Sequence, residues 1–593
     1  MCGVFAYSGA APKAAATVMD GLRRLEYRGY DSWGVAVADR RKLDVQRQVG
    51  RISGTSWSRL GPASIGLGHT RWATHGRVTE GNAHPHTDCH GRLAVVHNGI
   101  VENHVALRAE LVARSHRFTS ETDTEVIAHL LEEELATAGD GADALVSALR
   151  RVGTRLEGAS AVVVLDGQEQ RLAALRHGSP LLVGIATGKI LLASDAAALL
   201  PETRDVVFLQ DGEIAAIEGD SLRILDAHTG RSVPIQAERL DWTIEAADQG
   251  DYPHFMLKEI AEQPNQWRRM AGHMGPDLVA IADALREARQ IVLLGCGTAY
   301  HAALIGRALL ASVADRSCQV VAGSEWEAVL PDLRPGTICL ALSQSGETAD
   351  VLEVVRRARQ RGAVVAALVN APGSSLARLA HLVAPLGAGP ESCVLATKSF
   401  TAKVAMLLRI AALLGGVDDT VTRDIALAAD AAHRLLEPNQ HDQIRRIAVT
   451  LAAQEHLYVL GRGVSFPIAL EAALKVKEGS YVHAEGFAGG ELKHGVIALI
   501  EAGTPCLLLA PDDATRTAML SGAAEVSARG GCIIGASATN DPVFDSWLRV
   551  GDAGLATPLV QAMAVQLLAY EIALARGVNP DRPRNLAKSV TVK

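Results

Sequence analysis

Two stretches of the chain, Ile291-Val-Leu-Leu-Gly-Cys-Gly-Thr-Ala-Tyr and Leu457-Tyr-Val-Leu-Gly-Arg-Gly-Val-Ser-Phe, share one pattern of apolar strand, Gly-x-Gly and helix. Gly295 and Gly461 lie 166 residues apart, and Arg361-Gly-Ala-Val-Val-Ala-Ala recurs as Arg529-Gly-Gly-Cys-Ile-Ile-Gly after 168. An offset that drifts so little marks a duplicated domain. Continuous apolar strands alternating with helices call for parallel sheets covered on both faces. The first 240 residues differ: they are rich in His, Asn and Gly and carry short β-like runs at 64–68, 93–96 and 161–165. A polar stretch at 242–252, with Glu245, Asp248, Gly250 and Asp251, reads as a linker, and a helix-like segment at 256–270 opens the α/β half. At 593 residues the chain exceeds what one core organises. The predicted order is a β-rich layered domain over 2–240, a linker over 241–255, doubly wound α/β domains over 256–435 and 436–579, and a tail over 580–593.

Composition narrows the function. A net charge of −8, with Lys and Arg spread along the chain, argues against nucleic acid as a partner, because neutralising phosphates needs a basic patch. The eight cysteines form no C-x-x-C pair and no disulfide framework, which fits a reducing compartment. Lys13, Asp20, Arg23 and Arg24 interrupt any apolar leader. The nearest approach to a membrane span, 555–575, contains Gln561, Gln566 and Glu571 and reads as a buried Ala-rich helix. A soluble cytoplasmic protein with no membrane partner is expected.

The chain begins Met1-Cys2-Gly3-Val4. With Met1 removed, Cys2 carries a thiol and a free α-amine on one residue, and an amine with a pKa of about 7.7–8.0 can accept the thiol proton near neutrality. Alone, Cys2 is better read as a buried cysteine that happens to sit second. It is followed in order by Arg71-Trp72-Ala73-Thr74-His75-Gly76, Asn82-Ala83-His84-Pro85-His86, His97-Asn98-Gly99 and Ser120-Glu121-Thr122-Asp123. On these segments residues 2–240 resemble the class II glutamine amidotransferases, N-terminal-nucleophile hydrolases with a four-layer αββα sandwich. The resemblance implies that Cys2 attacks the glutamine amide and becomes a thioester. Asn98 and the Gly99 N–H then hold the oxyanion, Arg71 grips the α-carboxylate and Asp123 takes the α-ammonium. Thr74 and His75 frame the pocket, and Trp72 is similar to the family's gate. The irregular spacing of His84, His86, Cys89 and His90 favours a hydrogen-bonded loop over a zinc site.

In the duplicated half, an apolar strand at 338–342 runs into Ser343-Gln344-Ser345-Gly346-Glu347-Thr348 and a helix over 349–358. Hydroxyls and N–H groups at a helix start form a phosphate cradle, although a plain capping turn uses similar residues. The second copy carries Ala510-Pro511-Asp512-Asp513 at this place, so only the first is equipped for phosphate. Further on come Glu471-Ala-Ala-Leu-Lys475-Val-Lys477-Glu478, Gly490-Glu491-Leu492-Lys493-His494-Gly495 and the tail Arg584-Asn585-Leu586-Ala587-Lys588-Ser589-Val590-Thr591-Val592. With these, the second half resembles the paired sugar-isomerase (SIS) domains of the glucosamine-6-phosphate synthase family. The resemblance implies a Schiff base between Lys588 and an open-chain ketose, Glu478 shuttling a proton between C1 and C2, and His494 assisting ring opening. It also places Lys475 near the reacting hydroxyls and Thr298, Ser343, Gln344, Ser345, Thr348, Val394 and Ala587 around the sugar phosphate. Without the resemblance, Lys475 and Glu478 would read as a surface i, i+3 pair and Lys588 as part of a solvated tail.

The implied reaction moves the amide nitrogen of L-glutamine to fructose 6-phosphate, the opening step of hexosamine synthesis. Lysine and glutamine supply the chemistry, so no metal or organic cofactor is expected, and the resemblance suggests a homodimer. The chain departs from the family at Ala299 and Ala396, where serine is usual, and at Val496, where proline is common. These changes leave room for a paralogue with a shifted acceptor. Two other readings stand further off. An amidophosphoribosyltransferase needs a strand ending in paired acids, which only 162–167 approaches, inside the first domain. A non-catalytic sugar-phosphate sensor has no use for Cys2, Asn98 and Asp123.

Overall fold

A computed structural model describes residues 2–590 apart from 53–59, 139, 140, 142, 244–246, 273 and 274. Met1, whose removal the thiol chemistry needs, Glu245 of the expected linker, and Thr591 and Val592 of the tail lie outside the described residues. The chain divides into two compact units, Met1–Ala247 with Ala587–Lys593, and Asp248–Leu586.

The first unit is built on alternation. In the strand Gly3–Gly9, Val4 and Ala6 face one side and Phe5 and Tyr7 the other, because successive side chains of a strand point to opposite faces. This strand lies between Ile65–Arg71 and Lys189–Ala193 in an eight-stranded sheet, with Gly3 opposite Thr70 and Phe5 opposite Ala193. A seven-stranded sheet holds Leu93–Gly99 against Ser160–Asp166. One apolar cluster joins Val4, Ala6, Leu67 and Leu192 of the first sheet to Ala94, Val96, Val163 and Leu165 of the second. Phe5 and Tyr7 pack on the helix Ala14–Leu25, while Leu93 and Val95 pack on helices that include Glu125–Ala138. Three apolar interfaces therefore separate helix, sheet, sheet and helix, which is the expected αββα sandwich.

The second unit contains the duplication. Gln290–Gly295, Thr337–Ser343, Val364–Val369 and Leu382–Pro385 recur as His456–Gly461, Pro505–Leu509, Cys532–Ser537 and Ser546–Arg549. Each set, with one further strand, forms a five-stranded parallel sheet of the same strand order. The glycines that end the first strands explain part of the repeat. A Cβ on Gly295 would sit 2.6 Å from the Ala299 carbonyl carbon, and one on Gly461 would sit 2.2 Å from the Ser465 oxygen. In both copies the following helix crosses the strand end too closely for a side chain.

The expected helix at 256–270 spans Phe255–Gly272, and the stretch at 555–575 forms the helix Thr557–Ala575. The latter is apolar all round and long enough to cross a membrane, yet every residue from 557 to 573 is buried in the core of the second unit. Gln566 is paired at both ends there: Gln263 Nε2 donates to its Oε1 at 2.7 Å, and its Nε2 donates to the Thr397 carbonyl at 3.3 Å.

Candidate active sites

Cys2 stands at the start of the central strand of the first sheet, beside the end of Ile65–Arg71. The Trp72 N–H donates to its Sγ at 3.2 Å, and Sγ is 3.5 Å from the Trp72 carbonyl. Burial raises the thiol above its ordinary range, so deprotonation needs a base. Two groups hold the Cys2 carbonyl: Asn98 Nδ2 donates at 3.0 Å and Arg28 Nε at 3.3 Å. Asn98 and Gly99 end the strand Leu93–Gly99 in the other sheet. Gly99 has φ +137°, and a Cβ there would lie 1.9 Å from the Ala159 carbonyl oxygen. No other residue fits.

The amide of Asn98 is oriented by a residue the sequence reading passed over. His69 Nε2 donates to both the Asn98 Oδ1 and the His97 carbonyl, at 3.1 Å each. Burial, with the nearby Arg71 charge, lowers His69 to about 3, so it stays neutral. Its signal in the sequence is a polar residue two before Arg71 in an otherwise small and apolar strand.

Asp123 Oδ2 accepts from the Val101 N–H at 2.8 Å, two residues past Gly99. Arg71 is buried, and its guanidinium donates to the carbonyls of His75, Gly76 and Arg77. The bend it braces carries Thr74, which is exposed, and His75, half-buried against the His104 ring. Trp72 meets Tyr30 edge-on, with ring centroids 5.6 Å apart. The His84 ring lies against His69 and meets His86 edge-on in the interior, and His86 pairs with Thr122 Oγ1 at 2.9 Å.

The second unit gathers another set. Its first strand, Gln290–Gly295, has Gln319–Ala322 on one side and Thr337–Ser343 on the other. This is a topological switch point, where ligands bind beyond the strand ends. Thr298 follows the first of these strands, and Ser343-Gln344-Ser345 follows the second. Ser343 Oγ accepts from the Gly346 N–H at 2.9 Å and Ser345 Oγ from Glu347 N–H at 3.2 Å, while Thr348 stands at the N-terminal boundary of the helix Ala349–Gln360 without a side-chain cap bond. The turn is thus preset by its own serine side chains. In the second copy an Arg516–Asp512 ion pair at 2.9 Å stands at the corresponding turn.

Across from Thr298 runs the helix Ser465–Ser480 of the second copy. Glu471, fully buried, accepts from Thr298 Oγ1 at 3.1 Å and His301 Nδ1 at 2.7 Å. Lys475 Nζ lies 3.4 Å from Glu471 Oε1 and donates to Glu478 Oε2 at 2.5 Å. Burial opposes the charge on Lys475, but Glu471 and Glu478 outweigh it and raise its pKa. Lys475 is wholly inaccessible, so the surface-pair reading of Lys475 and Glu478 fails. Glu471 and His301 are the residues missed here, and only the i, i+4 spacing of Glu471 and Lys475 hinted at them. Val394 donates its N–H to the Asp581 carbonyl at 3.1 Å. His494 is exposed on a short helical turn, Glu491–His494. Ala587 and Lys588, both half-buried, belong to the first unit.

Comparison with known proteins agrees with both halves. The glutamine amidotransferase domain family matches residues 69–201, and the SIS domain family matches 284–413 and 450–545. The glutamine–fructose-6-phosphate aminotransferases (isomerizing) of Pyrococcus horikoshii and Thermus thermophilus are each 42% identical to this chain, and that of Streptomyces coelicolor 41%, with all of both chains covered. Among solved structures, the C-terminal domain of glucosamine-fructose-6-phosphate aminotransferase from Francisella tularensis is 30% identical with a TM-score of 0.52, covering 57% of this chain and 99% of that one. With identity at this level along its whole length, the chain belongs to the glutamine–fructose-6-phosphate aminotransferase (isomerizing) family.

Proposed function

We propose that this chain transfers the amide nitrogen of L-glutamine to fructose 6-phosphate, giving glutamate and glucosamine 6-phosphate. The observation that carries the reading is the pair of donors fixed at Cys2, the Trp72 N–H on its Sγ and the His69-oriented Asn98 amide on its carbonyl. A thiol at the head of a strand, with fixed donors beside it, is equipped for acyl transfer.

Cys2 Sγ adds to the amide carbon of glutamine, and Asn98 Nδ2 and the Gly99 N–H receive the oxyanion. Ammonia leaves with the proton taken from the thiol, and water then cleaves the thioester to glutamate. Arg71 and Asp123 supply opposite charges for the two ends of the amino acid, with Trp72, Thr74 and His75 around it. In the second reaction the family resemblance assigns Thr298, Ser343, Gln344, Ser345, Thr348, Val394 and Ala587 to binding of the sugar phosphate and His494 to ring opening. Lys588 Nζ condenses with the C2 ketone and releases water, and ammonia then displaces the lysine to leave a C2 imine. Glu478 removes a C1 proton and returns one to C2, which leaves an aldehyde at C1 and an amine at C2. Lys475, held charged between Glu471 and Glu478, stabilises negative charge on the sugar oxygens. The same reading makes the protein a cytoplasmic homodimer, which light scattering on the purified chain checks for assembly.

The test is mass-spectrometric analysis of Met1-processed protein incubated with both substrates. Glutamate and glucosamine 6-phosphate are expected in equal amounts. Cys2→Ala should abolish glutamine use and spare amination by free ammonia, whereas Lys588→Ala should do the reverse. Glutamine-dependent activity in Cys2→Ala would overturn the nucleophile assignment. Glutamate without aminosugar would point to a different acceptor, with Ala299 and Ala396 as the first positions to restore to serine.

A further inference from the structure

Cys89 does not join His84 and His86, its neighbours in sequence. Its Sγ lies 3.6 Å from His116 Nδ1 and 3.5 Å from His129 Nδ1. Glu132 Oε2 lies 3.0 Å from His116 Nδ1 and 3.3 Å from His129 Nδ1. One atom from each of the four residues falls within 4.8 Å of every other. We propose that Cys89, His116, His129 and Glu132 form a tetrahedral zinc site in the glutaminase half, outside its active centre.

The spacing suits the ion. With Zn–S near 2.3 Å and Zn–N or Zn–O near 2.0–2.1 Å, a tetrahedron has S···N edges of about 3.6 Å and N···O edges of about 3.3 Å. The four distances above fall close to these values. The ligand types also suit zinc, which takes thiolate and imidazole with a carboxylate, and one thiolate plus one carboxylate balance its charge.

The surroundings strengthen the case. Both histidines turn Nδ1 toward the common point and Nε2 toward a further carboxylate. His116 Nε2 lies 3.3 Å from Glu133 Oε1, and His129 Nε2 lies 3.8 Å from Glu125 Oε1. Glu125 is itself fixed by the N–H groups of Thr119 and Ser120. Carboxylates behind the distal nitrogens orient metal-bound imidazoles and raise their basicity. The Arg117 N–H donates to Cys89 Sγ at 3.5 Å and the Cys89 N–H to Glu132 Oε2 at 3.2 Å, so backbone groups hold both anionic ligands. His90 Nε2, on an exposed ring, meets the other Glu132 oxygen at 3.3 Å.

Four protein ligands leave no open position, so the ion is structural. It fastens the turn before the strand Leu93–Gly99, which ends in Asn98 and Gly99, to the helix Glu125–Ala138, which begins just after Asp123. The oxyanion donors and the amino-acid anchor are thereby tied together. Binding displaces the Cys89 thiol proton and any proton on the histidines to solvent, so affinity rises with pH.

The experiment uses the full-length chain carrying Cys2→Ala, which removes the active-site thiol as a competing ligand. After stripping by chelator and dialysis, it is titrated with Zn²⁺ alone and, separately, with Co²⁺ alone. One zinc per chain is expected by elemental analysis, a higher melting temperature with zinc, and a thiolate-to-cobalt absorption band with cobalt. Cys89→Ser should lose the band, and His116→Gln should weaken zinc by about tenfold to a hundredfold. Cys89 is exposed and His116 lies outside helix and strand, so both variants are expected to fold, and circular dichroism with thermal melting of the zinc-free proteins verifies that. Absence of stoichiometric zinc in the parent would overturn the site, leaving a cluster of histidine–carboxylate ion pairs. Cobalt bound without the thiolate band, or binding unchanged in both variants, would overturn it equally.

Discussion

At the scale of single residues, the glutaminase centre depends on which way one amide faces. Asn98 can present Nδ2 toward Cys2 only while its Oδ1 is held by the His69 N–H on the other side. A histidine does this well because burial keeps it neutral, with one nitrogen committed as donor toward two oxygens. Removing an oxyanion donor costs on the order of 10²–10³ in rate, so Asn98→Ala should lower kcat for glutamine hydrolysis by about that factor. His69→Ala should lower it by about tenfold to a hundredfold with little change in KM, because the donor is present but unoriented. His69→Gln, which keeps an N–H for Oδ1, should recover much of the loss. Steady-state glutaminase assays beside ammonia-dependent amination check the set. Equal loss of both activities would mean that His69 serves only to hold the fold.

At the scale of elements, distant chain segments complete one another. The helix Phe255–Gly272 takes a cap from far along the chain. Asp581 supplies it, its carboxylate accepting the Phe255 and Met256 N–H groups at 2.8 and 2.7 Å while its carbonyl holds Val394. Losing a helix cap costs about 0.5–2 kcal/mol. Asp581→Ala should therefore destabilise the sugar-isomerase half by that amount and, by loosening the backbone whose carbonyl holds Val394, raise KM for fructose 6-phosphate. Calorimetry and sugar-saturation curves test the two effects separately. Local pattern made the helices and strands readable: periodicity placed the helix at 256–270 within a few residues, and the Gly-x-Gly repeat exposed both parallel sheets. Partners fixed only by tertiary contact were not readable. Nothing near Phe255 points to Asp581, and nothing near Cys89 points to His116 and His129. Likewise Glu471 gains its meaning from Thr298 and His301, which lie in the other copy of the domain.

At the scale of the whole molecule, the two units differ in how protons act on them. The first buries His69, His84, His86 and His97, all with lowered pKa. His69 and His86 are each lowered to about 3, by burial first and then by the charges of Arg71 and Arg47 respectively. In the unfolded chain these groups titrate near 6.5. Between pH 6.5 and 3 the unfolded state therefore binds more protons, and stability falls as pH falls. At pH 5 the loss is about 2 kcal/mol for each fully shifted histidine. His129 works the other way: Glu125 and Glu132 overcome its burial and raise it, so its contribution is present at low pH and fades as pH rises. Four lowered histidines outweigh one raised. In the second unit, burial of Glu471 and Glu571 is outweighed by their cationic and hydrogen-bonding partners, which lowers both pKa values. Stability from such carboxylates is complete above about pH 4.5 and is lost only below it. Lowering pH from 7 to 5 should thus pull the glutaminase transition down in temperature and leave the sugar-isomerase transition nearly in place, so that scanning calorimetry resolves two peaks where neutral pH gives closer ones. His69→Gln should flatten the pH dependence of the lower peak. Two transitions shifting together, or the upper one moving first, would refute the assignment of acid sensitivity to these buried histidines.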